Sequence, residues 1–177
     1  MTRPAATCPQ VWKEINKARG PPDSGICLSI KAYKNKRDFS KTPEPVGWDE
    51  DTDSRVFVVQ EHHASHLHCD FRLSLDGVLK SWAVPKGVPT EPKVRRLAVE
   101  TEDHPLAYAD FEGDIPQGEY GAGKVIIWDK GSFELLERTE GKIVVALKGK
   151  KLKGNYALVR FAGKEKDAKN WLIMKVS

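Results

Sequence analysis

The amino-acid sequence predicts a mainly β fold, an antiparallel barrel or sandwich, and three observations carry that prediction. From Arg55 onward the chain breaks into short β-like runs at residues 55–61, 67–75, 78–84, 95–101, 123–129, 132–138, 142–148, 154–161 and 170–176. Turn signals separate many of them, among them Asp76-Gly77, Asp129-Lys130-Gly131, Glu140-Gly141 and Lys153-Gly154. Long helical periods are absent from this region, and regular short strands without them build closed or stacked sheets.

Taken in order, the chain starts with an appendage at residues 1–30 and continues as one main domain over residues 31–177. Val11, Trp12, Ile15 and Ala18 stand at helical spacing, so residues 8–19 are expected to form one short helix. The run GPPDSG at residues 20–25 breaks it. Residues 31–44, KAYKNKRDFSKTPE, are basic, and a charge run of this kind reads by itself as a solvated arm. The stretch between the β-like runs at residues 103–123, DHPLAYADFEGDIPQGEYGAG, is a long loop holding a histidine, three aromatics and five carboxylates. Long loops inside compact domains are commonly functional.

Composition excludes several classes. The chain of 177 residues is long enough for one sizeable core, and 40% hydrophobic with 31% charged residues places it among soluble globular proteins. No apolar run approaches the roughly 20 residues that span a bilayer, and the N-terminal stretch has no secretory pattern. A cytoplasmic protein that acts away from membranes is the expectation. Cys8, Cys27 and Cys69 are odd in number and widely spaced, which argues against a disulfide framework and a zinc knuckle. A net charge of +4 leans mildly towards polyanionic partners.

Residues 60–86, QEHHASHLHCDFRLSLDGVLKSWAVPK, hold four of the five histidines. His68, Asp70 and Arg72 are two apart on a predicted strand, so their side chains share one face while Cys69, Phe71 and Leu73 take the other. Asp76-Gly77 suits a two-residue type I′ hairpin. That register sets Leu75 against Val78, Phe71 against Trp82 and Asp70 against Ala83, whose small side chain leaves room for an ion or a phosphate.

Two imidazoles and a carboxylate, from His62 or His63 with His68 and Asp70, suit a borderline divalent ion with positions left open. Spacing alone does not choose between His62 and His63. Arg72 on the ligand face would clamp a phosphate or carboxylate with two prongs, and Lys86, Arg95, Arg96 and His104 add further cations. Two other readings compete. His68-x-Asp70 followed by His104 has the ligand order of a non-haem iron oxygenase, and the basic residues with aromatics suit a non-catalytic nucleic-acid-binding barrel.

The segments QEHHASHLHCDFRLSLDGVLKSWAVPKG, RLAVETEDHPLAYADFEG and IPQGEYGAGKVIIWDKG resemble the 3′-phosphoesterase domain of bacterial and archaeal DNA ligase D, and YKNKRDFSKTPEP resembles the segment ahead of that family's core. The likeness is specific from about Tyr33 to about Phe133 and looser beyond, and with no ligase or polymerase domain attached the free-standing form is the expectation. It implies a single-domain antiparallel β-barrel with a few short flanking helices. It also implies a manganese-dependent enzyme, with cobalt, zinc or another divalent ion able to stand in. The implied activity removes 3′-terminal ribonucleosides and then 3′-phosphates from DNA or RNA–DNA primers, leaving 3′-hydroxyl ends. A separate ligase, polymerase or end-binding repair protein would be its partner.

By the same resemblance, His62, His68 and Asp70 are the metal ligands, and Arg72, His104 and Tyr108 contact phosphate. Further functional positions match Gln60, Lys86 and Arg96 and, in the arm, Arg37, Asp38 and Glu44. Because two of those three arm residues are acidic, the expectation is that they accept bonds from sugar hydroxyls or orient neighbouring cations. His104 or Tyr108 would protonate the leaving group. His63, His66 and Cys69 differ from the residues the family commonly carries there, and the lysine-rich residues 148–153 have no role implied.

Overall fold

The computed structural model describes residues 24–46, 55–161 and 169–177. The helix expected at residues 8–19 lies outside them. The first described element is a helix, α1 (Ser24–Asn35). It continues through strands β1 (Val56–His63), β2 (Leu67–Leu75), β3 (Val78–Val84), β4 (Arg95–Glu100), β5 (Gly113–Ile115), β6 (Gly123–Thr139), β7 (Lys142–Lys148), β8 (Lys153–Arg160) and β9 (Asn170–Lys175). A 3-10 turn, Leu106–Asp110, lies between β4 and β5.

The strands run antiparallel in the order β1-β2-β3-β4-β9-β8-β7-β6, and β6 pairs back onto β1. Eight strands therefore close a barrel, with β5 added outside the ring on β6. Closure leaves no free edge in the ring. Period-two alternation sorts the side chains. Phe57, Val59, Phe71, Leu73, Trp82, Val145, Leu158 and Ile173 fill the interior. Val58, Leu79 and Val125 point outward, where Ile30 and Tyr33 of α1 cover them together with Tyr108 and Phe111. Each such side chain withdrawn from water contributes about 1.5–3 kcal/mol.

The β2–β3 hairpin has the expected register, pairing Leu75 with Val78, Phe71 with Trp82 and Asp70 with Ala83. Asp76 and Gly77 both take positive φ, 55° and 74°, as a type I′ turn requires. Arg138 clasps the Asp76 carboxylate at 2.8 and 2.5 Å, tying this turn to β6.

The structure corrects the sequence reading in three places. Residues 123–129 and 132–138 are one strand, not two: β6 pairs with β1 along its first part and with β7 along its second. Asp129-Lys130-Gly131 is no turn. Its aspartate accepts backbone bonds from Lys150, Lys151 and Leu152, and a Cβ on Gly131 would stand 2.3 Å from the Lys148 carbonyl oxygen. The glycine serves close strand approach. Second, Lys153-Gly154 belongs to β8, and the turn ahead of it is residues 149–152. Third, the basic arm is helical in its first part, where α1 runs to Asn35. Ile30 and Tyr33 anchor α1 by burial.

Candidate active site

The site is built on the outer wall of the barrel. In the antiparallel register His62 stands opposite His68, Gln60 opposite Asp70 and Val58 opposite Arg72. Partners directly opposite share a face, so two strands deliver imidazoles, carboxylate and guanidinium to one surface. Ser81 and Ala83 of β3 extend that surface on the far side of β2. A cavity of about 220 Å³ lies over it, walled by Arg37, Thr101, Glu102, His104, Tyr108, Ile115, Tyr120 and Gly121.

The ligand-forming atoms of His62, His68 and Asp70 all lie within 4.8 Å of one another. Backbone carbonyls orient both rings. His62 Nε2 is 2.8 Å from Gly121 O, and His68 Nδ1 is 2.9 Å from His66 O. A carbonyl only accepts, so these nitrogens carry the hydrogens. The lone pairs then sit on His62 Nδ1 and His68 Nε2, which face the Asp70 carboxylate at 4.0 and 3.6 Å. Burial lowers the pKa of His62, which favours the neutral ligand form. Two oriented imidazole lone pairs and a carboxylate fit a divalent cation. The register also separates His62 from His63, which is exposed and lies 3.7 Å from Glu61.

Arg72 is buried and held at three points. Its Nε donates to Gln60 Oε1, Nη1 to Ser81 Oγ and Nη2 to Asp70 Oδ2, each at 2.8 Å. Gln60 in turn donates to the carbonyls of Tyr108 and Phe111. A guanidinium has five N–H bonds, so two remain for a ligand after these three. Tyr108 lies beneath the guanidinium, 4.7 Å from ring centroid to Cζ. Burial raises its phenol pKa, so the hydroxyl remains a donor.

His104 is buried, donates from Nδ1 to Glu102 O at 2.8 Å, and receives Arg37 Nη2 at Nε2 at 3.3 Å. Burial, then Arg72 and Arg37, lower its pKa well below the ordinary histidine value. The imidazole is thus neutral at neutral pH, and it is not among the clustered ligand atoms. That differs from the oxygenase ligand order, in which His104 would be the third ligand.

This burial has a measurable consequence. The unfolded chain protonates His104 near pH 6.5 while the folded chain resists protonation to lower pH. Stability is therefore complete above that value and declines below it, through the interval down to the lowered folded pKa. Thermal unfolding of wild type and His104→Asn between neutral and acidic pH checks this. The wild-type midpoint should fall more steeply, and parallel curves would exclude the effect.

Of the arm residues, Arg37 lines the cavity, with Glu44 behind it. Glu44 is buried and accepts from Arg37 Nε at 2.7 Å and from Thr42 Oγ1 at 2.9 Å. Asp38 does not reach the cavity. It is exposed, and the Ser40 hydroxyl, helped by Lys41, lowers its carboxyl to about 2. Lys86 lies on a neighbouring cleft that shares His68, and Arg96 donates to the Lys86 and Gly87 carbonyls from outside the cavity. Cys69 borders that cleft, with burial pushing its thiol up to about 11.

The sequence reading missed Ser81, Glu102 and Tyr120. Ser81 was accessible, because the hairpin register that sets Asp70 against Ala83 also sets Arg72 against Ser81. Glu102, which pairs with Arg37 at 3.3 Å and Lys36 at 3.1 Å, had no such signal. Tyr120 stands in the long loop and accepts from Lys36 at 3.2 Å.

Comparison with known proteins covers the same residues. A profile described as the DNA ligase D 3′-phosphoesterase domain matches residues 60–160, from Gln60 on β1 to the end of β8. The multifunctional non-homologous end joining DNA repair protein LigD of Mycobacterium tuberculosis is 42% identical over 190 residues, covering 92% of this chain and 25% of that protein. LigD of Pseudomonas aeruginosa is 52% identical over 154 residues, 82% of this chain and 18% of that protein. LigD of Mycolicibacterium smegmatis is 46% identical over 163 residues, 85% of this chain and 21% of that protein. The chain spans a quarter or less of the length of these relatives. With the profile spanning more than half of the chain and these identities extending over most of it, the chain belongs to the DNA ligase D 3′-phosphoesterase domain family.

Proposed function

We propose that the chain is a divalent-metal-dependent 3′-end-healing phosphoesterase. It removes a 3′-terminal ribonucleoside, then the 3′-phosphate, from DNA or RNA–DNA primers and leaves a 3′-hydroxyl. The observation that carries this reading is the convergence of the His62, His68 and Asp70 ligand atoms with Arg72 on one cavity wall. The relatives are named as end-joining repair proteins, so broken or primed ends are the substrates in view.

His62, His68 and Asp70 would hold the ion, manganese or a stand-in such as cobalt or zinc, which supplies Lewis-acid stabilisation of charge on a phosphoryl oxygen. The two free N–H bonds of Arg72 grip the phosphate, and Arg37 adds a second guanidinium across the cavity. Tyr108 donates from its hydroxyl. His104, with its hydrogen on Nδ1, accepts Arg37 at Nε2 and so positions that guanidinium over the cavity. Gln60 and Glu44 act one layer back by holding Arg72 and Arg37. Lys86 and Arg96 shape the adjoining cleft, and Asp38 fixes the turn of the arm.

A labelled primer ending in one ribonucleotide, incubated after chelation with and without added manganese, tests this. The expected products are an end shortened by one nucleoside, then a dephosphorylated end, both only with metal. Intact primer in both samples, or an oxidised product that needs iron and a co-substrate, would overturn it.

A further inference from the structure

Residues 148–153, KGKKLK, turn the chain from β7 into β8 and expose four lysines, Lys148, Lys150, Lys151 and Lys153. The turn is rigidly held. The buried Asp129 carboxylate accepts the backbone N–H of Lys150, Lys151 and Leu152 at 3.0, 3.1 and 2.7 Å. Leu152 is fully buried in the barrel interior. Lys151 Nζ sits 4.4 Å over the half-exposed Trp128 ring.

Counter-charge is sparse. The residues from Lys148 to Arg160 include no carboxylate, and the ion pair formed by Lys148 is an exposed one with Glu134 at 4.0 Å. Exposed pairs contribute little. The fold thus spends a buried carboxylate and a buried leucine on presenting four cations in one place, which a merely solvated turn does not need.

The turn is linked to the roof of the cavity through β6, whose Asp129 holds the turn and whose Lys130 reaches the roof. Tyr108 lines the cavity, Asp110 closes the same 3-10 turn, and Asp110 ion-pairs with Lys130, the residue after Asp129. A duplex carries one negative charge per about 1.7 Å of axis, so a strand whose end lies in the cavity has many phosphates to offer this flank.

We propose that the β7–β8 turn is a second nucleic-acid contact, one that grips the phosphate backbone of the duplex whose 3′ end reacts in the cavity. This rests on the nucleic-acid reading of the cavity. The contact is electrostatic and indifferent to sequence, and it adds affinity for long substrates without touching the reacting group.

The test replaces the four lysines together by glutamine and, as a second variant, by arginine. Binding of a long labelled duplex with a recessed 3′ end is followed by fluorescence anisotropy across 50–200 mM salt. Hydrolysis of a 3′-phosphorylated dinucleotide, too short to reach the turn, is measured in parallel. Over that salt range the wild type should lose about a hundredfold more affinity than the glutamine variant, the consequence of four released counterions. The arginine variant should follow the wild type, and dinucleotide turnover should be unchanged in all three. Identical salt dependence of wild type and glutamine variant would overturn the proposal. A shallower glutamine slope without hydrolysis by any form would support the turn as a contact and refute the esterase reading instead.

Discussion

Asp70→Ala is expected to abolish metal-dependent turnover and to remove the bound ion while the barrel stays folded. The carboxylate lies between His62 Nδ1 at 4.0 Å, His68 Nε2 at 3.6 Å and Arg72 Nη2 at 2.8 Å. Without it, two imidazoles remain beside a guanidinium, and a cation meets repulsion with no compensating carboxylate. Removal of a group that only orients a ligand costs roughly 10–100-fold in affinity, and loss of a charged ligand costs more. The fold should survive, because Phe71 and Leu73 on the opposite face of β2 carry the packing. Metal stoichiometry and turnover of the purified variant check this together. Full activity with unchanged stoichiometry would exclude Asp70 as a ligand.

Arg72→Lys should cost on the order of tenfold or more in kcat/KM although the charge is retained. An ammonium cannot reproduce three bonds in one plane. At least one of Gln60 Oε1, Ser81 Oγ and Asp70 Oδ2 would lose its partner, and the pair of N–H bonds left for phosphate would be gone. Leaving a buried acceptor unpaired costs about 1–3 kcal/mol, so the unfolding midpoint should fall as well. Equal activity of the lysine variant would reduce Arg72 to a diffuse charge.

Much of the barrel was legible because local chemistry agreed with tertiary structure. The Asp76-Gly77 turn set one register, and alternation placed Phe71 and Leu73 inside with Asp70 and Arg72 outside. Where the reading departed from the structure, a distant element had used a local signal. Asp129 and Gly131 have turn composition, but their partners are the amides and carbonyl of the β7–β8 turn, which no local window includes. The same holds for the site. His68, Asp70 and Arg72 follow from spacing on one strand, whereas spacing leaves His62 and His63 open; the family resemblance names His62, and the β1–β2 register sets it opposite His68. Glu102 takes its meaning from Arg37 on a distant segment, and no short-range pattern announces it.

The position of the cavity on the barrel's flank means that losing function and losing the fold are separable events. The wall with His62, Asp70 and Arg72 belongs to the closed ring and shares its cooperativity. The roof consists of α1, the 3-10 turn and the loop at residues 116–122, joined to the ring by the three-residue strand β5, a few side-chain clasps and the outer apolar cluster around Tyr33 and Tyr108. Elements packed on the ring's outer face by a smaller apolar cluster than the one inside it open at free energies below that of global unfolding. Warming or mild denaturant would therefore inactivate the molecule through its roof while the ring stays intact, and cooling would restore it without refolding.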